Sequence, residues 1–276
     1  MNARIKNILF LIGLTSVIVM LLTFDVSWEV LWANLMHAGW WLAGILVLWL
    51  VLYTMNTTTW WIILRESGPV NISFLQLFKV TLSSFALNAA TPVGLLGGEP
   101  YKVMELTPYV GAQRATSSVL LFAMMHIFTH FCYWVTAILL WLWLKPVNAG
   151  VGLLLGAAAL FCAGGIFLFL RGYRYGMVVH AIRWMGHIPG LRSWATRFAA
   201  THEESLHCID RQIAELHSQS RGTFYASLLL EYTGRLMQSL EIMVMLVIIG
   251  ADGSWATFAD SVIILSFTSL FANLLG

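Results

Sequence analysis

The stretch WWLAGILVLWLVLYTMNTTTWWIIL, residues 40–64, runs for 25 residues without a charge. A helix needs about 20 apolar residues to cross the hydrocarbon of a bilayer, so this segment reads as a membrane span. It stops at Arg65-Glu66-Ser67-Gly68-Pro69, a charged turn with two strong helix breakers. The rest of the chain has the same character. Of its 276 residues 59% are hydrophobic and 10% charged, with a net charge of +2, against about 45–50% and 25% in soluble domains. These figures exclude a water-soluble fold, a disordered chain and a nucleic-acid binder. The three cysteines, Cys132, Cys162 and Cys208, lie too far apart to indicate a disulfide scaffold. The expected fold class is all-α, a polytopic integral membrane protein.

Working outward from residues 40–64, further spans are expected at about 8–24, 116–144, 151–170 and 224–250. Residues 8–24 follow Arg4 and Lys6 and would also suit a signal peptide, but the run is longer than a signal core and leads into Asp25 rather than a cleavage site. Trp28, Leu31, Trp32, Leu35 and Met36 form one apolar stripe, as in a helix lying at the interface. The stretch 171–221 is the one long polar segment. It carries seven arginines, with Tyr173, Tyr175, Trp184 and Trp194 among them. It is expected to be a cytoplasmic amphipathic segment, touching anionic lipid through 171–197. Thr201 and Glu204 form a capping box before the stripe Leu206, Ile209, Ile213 and Leu216.

Parity then constrains residues 72–100. Arg65 and residues 171–221 should both face the cytoplasm by the positive-inside rule, with two spans between Arg114 and Arg171, so Arg114 faces it too. Residues 72–90, interrupted by Lys79, Thr81, Ser83, Ser84 and Asn88, therefore do not cross once. They are expected to enter and return as a re-entrant or broken segment through Thr91-Pro92-Val93-Gly94-Leu95-Leu96-Gly97-Gly98-Glu99-Pro100. Irregular backbone at membrane depth needs protein or a watery cavity to satisfy it, so a polar cavity is expected near Pro92–Glu99. Ser84 and Asn88 align with Ser269 and Asn273. With opposite entry sides for the two segments, this points to an inverted repeat in which 255–276 is also re-entrant or broken.

Chemistry-bearing residues concentrate in the 224–250 span. Glu231, Gly234, Arg235, Gln238 and Glu241 fall on one stripe, in which Glu231 and Arg235 are spaced to pair. An unpaired charge there costs about 2.5–3.5 kcal/mol, so the stripe is expected to face a protected interior, shared with the Pro92–Glu99 segment. His126 and His130, one turn apart with Tyr133 nearby, read as polar packing rather than as metal ligands, since no carboxylate or cysteine lies on that turn.

The run from Ser84-Phe85-Ala86-Leu87-Asn88 to Thr91-Pro92-Val93-Gly94, then Gly97-Gly98-Glu99-Pro100-Tyr101-Lys102 and Glu105, resembles the hallmark of the lysylphosphatidylglycerol synthase transmembrane-region family. That family includes the flippase half of multiple peptide resistance factor, and it is also known as an uncharacterised membrane family. The resemblance implies a lipid flippase or transporter that moves or binds a phospholipid, or another lipid with a polar headgroup, in a bacterial inner membrane, and Arg4 and Lys6 make a cytoplasmic N-terminus the expectation. The resemblance also implies headgroup contacts from Asn88, Pro92, Gly94, Gly97, Gly98, Glu99, Tyr101 and Lys102, to which the polar stripe adds Glu231, Arg235 and Gln238. Glu99 and Glu231 would face a cationic group, and Lys102 and Arg235 a phosphate. Family members carry a second Pro/Gly/Glu segment in the later half, so the sequence is expected to be C-terminally truncated. The soluble aminoacyl-transferase domain of the synthase has no counterpart here, so lipid aminoacylation is not expected. No cofactor or metal is expected, and the expected partners are membrane lipids and a second copy of the chain. Two other readings fit the residues: a membrane enzyme or accessory domain acting on lipid-linked substrates, and a non-transporting scaffold.

Overall fold

A computed structural model of the chain describes residues 27–29, 32, 33, 36, 39–90, 98–175 and 221–275. Seven helices are bounded among them: α1 (Trp40–Glu66), α2 (Phe74–Ala90), α3 (Gly98–Val110), α4 (Ala112–Leu144), α5 (Ala149–Tyr175), α6 (Arg221–Ile248) and α7 (Trp255–Leu275). No strand occurs among the described residues. The protein is an all-α polytopic membrane protein. Helices α1, α4, α5 (to Leu170) and α7 (to Asn273) are long and apolar enough to cross a bilayer. Helix α6, at 28 residues, has the length, but Glu231, Arg235 and Glu241 within eleven positions set its composition apart. Outward-facing side chains are apolar, Leu153 and Leu160 each being 77% exposed and Ile249 79%, as hydrocarbon rather than water requires.

Local chemistry explains where the helices start and stop. Before α2, Ser73 Oγ accepts the Gln76 N–H (3.2 Å) while Gln76 Oε1 accepts the Ser73 N–H (3.0 Å), a reciprocal capping box. Helix α6 ends at Gly250, whose φ of 107° only glycine adopts readily. There the Ala251 N–H reaches Leu246 O at 2.9 Å and the Gly250 N–H reaches Val247 O at 3.0 Å, the paired bonds of a Schellman end. Asn148 Oδ1 accepts the Val151 N–H at the start of α5 (2.9 Å).

The chain forms two compact units, Met1–Thr57 with Val70–Ala115, and Thr58–Pro69 with Thr116–Gly276. In the first, α2 packs on α3, and Phe85 meets Trp49 and Tyr53 of α1 at ring separations of 5.9 and 5.2 Å. In the second, the core gathers Tyr133, Trp134 and Ile138 of α4, Leu155 and Cys162 of α5, and Val262 and Leu270 of α7. Phe128 stacks on Phe169 at 4.2 Å, and Lys145 pairs with Asp260 at 2.7 Å.

One expectation is corrected. Residues 255–275 form a continuous helix rather than a broken one, because they hold no glycine or proline to interrupt it. The aligned residues also act differently. Ser84 and Asn88 meet the backbone of Gly98, whereas Ser269 Oγ accepts the Trp134 Nε1–H (2.9 Å) and Asn273 Nδ2 donates to Ser269 O in its own helix. The expected span at 8–24, the Pro92–Gly97 turn and residues 176–220 lie outside the described residues.

Candidate functional site

In the first unit the site residues gather at the start of α3. Asn88 Oδ1 accepts the Gly98 N–H at 2.7 Å, capping a helix whose first turn has no intrahelical acceptor for its amides. Gly98 is glycine for want of space: an added Cβ would lie 2.5 Å from Ser84 O and 2.7 Å from both Asn88 Oδ1 and Ser84 Oγ. Glu99 follows in the first turn, where the helix dipole favours an anion. Its Oε1 accepts from Lys102 Nζ at 2.9 Å. The Lys102 side chain is 7% exposed, and the other Glu99 oxygen, Oε2, is buried without a hydrogen-bond partner. Tyr101 is half-buried beside them. Pro92, Gly94 and Gly97 lie outside the described residues. The pairing of Glu99 with Lys102 leaves one carboxylate oxygen, rather than two opposite charges, for anything that docks.

In the second unit a denser cluster forms between α4 and α6. His126 Nδ1 lies 2.8 Å from Glu231 Oε2, and the hydroxyl of Thr59 in α1 also bonds Glu231. Arg235 Nη2 meets the same ring, beside Nε2 and 3.4 Å from Nδ1, and it meets His130 Nε2 at 2.6 Å. Arg235 Nη1 donates to Gln238 Oε1 at 3.2 Å. Guanidinium only donates, so a neutral imidazole that accepts from it at Nε2 keeps its proton on Nδ1. His126 then donates that proton to Glu231 and stands between the two charges as a relay. His130 Nδ1 is buried and has no hydrogen-bond partner. Around this core Tyr133 Oη bonds Ser239 Oγ at 2.6 Å and Thr136 Oγ1 bonds Tyr232 Oη at 2.7 Å.

The structure thus links Glu231 and Arg235 through His126, and it brings in two histidines that the sequence reading assigned to packing. The signal was present: His126 and His130 have the same i, i+4 spacing on α4 as Glu231 and Arg235 on α6. What pairs the two stripes is helix packing. Among the described residues no group of three His, Cys, Asp or Glu side chains is placed to hold a metal, and the guanidinium occupies the Nε2 atoms a metal would use.

A family model that matches residues 8–275 decides the affiliation. The chain belongs to the lysylphosphatidylglycerol synthase TM region family. Nearly the whole sequence is covered, so the shared feature is this membrane architecture, and the family ties the protein to lipid. No curated protein and no solved structure matches the chain.

Proposed function

We propose that this protein binds a lipid with a polar, phosphate-bearing headgroup and moves it across the bilayer, without enzymatic turnover. The observation that supports this most directly is the Glu231–His126–Arg235 relay. Ionisable groups within membrane helices are costly and mark substrate paths. Because an imidazole separates the two charges, each keeps a field that a direct bidentate pair would largely cancel. A phosphate drawn to Arg235 and a cationic amine drawn to Glu231 complement that separation, and the buried His130 Nδ1–H offers one more donor to a phosphate oxygen. In the first unit, Asn88, Gly98, Glu99, Tyr101 and Lys102 form a second contact region, to which Pro92, Gly94 and Gly97 are assigned from the sequence alone. There the Glu99 Oε2 atom seeks a donor.

The same reading places the protein in a bacterial inner membrane with a cytoplasmic N-terminus, supported by Arg4, Lys6 and the seven arginines of 171–221. The test is reconstitution in liposomes with fluorescent phospholipids, following inward and outward movement. Arg235→Gln and Glu231→Gln should each slow movement at least about tenfold, the equivalent of one lost charge-assisted contact, while inserting normally. Movement at the unmodified rate in both variants would reduce the relay to a packing role.

A further inference from the structure

Binding a headgroup does not by itself call for a titratable ring between Glu231 and Arg235. A glutamine or asparagine bridges a carboxylate and a guanidinium equally well, donating to one and accepting from the other. Histidine adds a second protonation state near neutral pH. The geometry shows what that state would do. Arg235 Nη2 lies against the His126 ring, beside Nε2 and 3.4 Å from Nδ1, and a proton taken up by the ring puts a second positive charge against the guanidinium. Once bound, it makes an imidazolium that repels the guanidinium. Proton occupancy of His126 and its contact with Arg235 therefore oppose each other.

The ring is reachable, its side chain being 36% exposed, whereas Glu231 is 4% exposed and remains as the counter-charge on Nδ1. The other groups facing the relay are His130 on α4, whose Nε2 also touches Arg235, Tyr133 on the same helix, Gln238 on α6 and the hydroxyl of Thr59 on α1. Charge counting gives the consequence. Glu231 and Arg235 sum to zero with both rings neutral; a proton on His126 raises the total to +1. Net charge in low dielectric is costly, and one anionic phosphate ester restores neutrality. Arg235, repelled by the protonated His126 and still bonded to His130 and Gln238, is the cation that meets it.

We infer that His126 is a proton-binding site whose occupancy releases Arg235 toward an anionic headgroup, so that one proton and one phosphate-bearing lipid are taken up together. The step is a proton transfer alone: the proton adds to Nε2, one Arg235 hydrogen bond is given up, and loss of the proton restores it. The inference rests on the lipid-moving reading above, and its test carries a readout independent of lipid movement.

The full chain, labelled with 15N-histidine, is placed in phosphatidylcholine nanodiscs containing phosphatidylglycerol and titrated by NMR. His126 should show the Nδ1–H tautomer at alkaline pH and both nitrogens protonated at acid pH. In Arg235→Gln, which lacks the competing charge, the transition should move to higher pH by about one unit, a tenfold change in proton affinity. A ring that stays neutral from pH 8 to 5 in the folded protein overturns the proposal. In parallel, proteoliposomes carrying fluorescent phosphatidylglycerol are given a transmembrane pH gradient. The gradient should change the rate of lipid movement several-fold in the unsubstituted protein and leave it unchanged in His126→Gln, whose amide bridges the same partners without titrating. A gradient response that survives in His126→Gln also overturns the proposal. If His126 titrates as described yet no lipid moves under any gradient, the proton site stands and the transport reading falls. If lipid moves regardless of gradient and His126 stays neutral, the transport reading stands and the proton site falls.

Discussion

At the scale of single residues, the structure distinguishes side chains that share a composition but not a duty. Arg235 satisfies His126, His130 and Gln238 at once, so Arg235→Ala strips three acceptors of their donor and leaves Glu231 without a cation. Breaking a buried charged network in this way costs about 3–5 kcal/mol, to be read as a fall in stability during denaturant titration in micelles. Tyr133→Phe is milder. It removes the 2.6 Å bond to Ser239 Oγ and a longer one, 3.4 Å, to Val262 O; the first is worth about 1 kcal/mol, and a double-mutant cycle with Ser239→Ala should show coupling of that size. Gly98→Ala is severe for a steric reason, since its Cβ would meet Ser84 O and Asn88 Oδ1. A loss of about 1–3 kcal/mol is expected from such overpacking. Gly156→Ala, with nothing within 4 Å of the added Cβ, should be neutral or stabilising by up to about 1 kcal/mol.

At the scale of elements, the approach to α7 carries a pH dependence that lies outside the membrane-spanning segments. Asp252 Oδ1 accepts from Thr257 Oγ1 at 2.7 Å and from the Ser254 N–H at 3.1 Å. The Thr257 hydroxyl first, and then the Ser254 amide, hold its carboxyl below the ordinary value of 3.8. A group whose folded value is depressed stabilises the fold above its unfolded value and loses that contribution as pH falls through the folded one. The unsubstituted protein should therefore lose thermal stability more steeply than Asp252→Asn as pH falls below about 4, as measured by Tm against pH. An identical slope in the two proteins would remove Asp252 from the start of α7. The neighbouring elements show how far a helix can be read in advance. The expected bounds at 40–64, 116–144 and 151–170 differ from α1, α4 and α5 by at most five residues at each end, because Gly68-Pro69, Gly111 and Pro146 interrupt them in the sequence itself.

At the scale of the whole molecule, charge distribution sets which segments face the cytoplasm, and this is open to test. Single cysteines placed in 171–221, in a variant with Cys132, Cys162 and Cys208 replaced by alanine, should resist an impermeant thiol reagent added to intact cells and react after permeabilisation. Strong labelling from outside would reverse the topology. Composition alone determined the bilayer as solvent, the all-helical class and the candidate residues on α6, since hydropathy and charge are properties of the chain before it folds. The motif from Ser84 to Glu105 likewise carried the family, which the match over residues 8–275 then showed. What the tertiary structure decided is partnership. Glu231 and Arg235 lie four residues apart and read as a pair, yet an imidazole 105 positions away in sequence from Glu231 stands between them. Spacing along one helix fixes which residues share a face. Which residues of another helix meet that face depends on how the side chains of both interlock, and that is determined only when the helices pack.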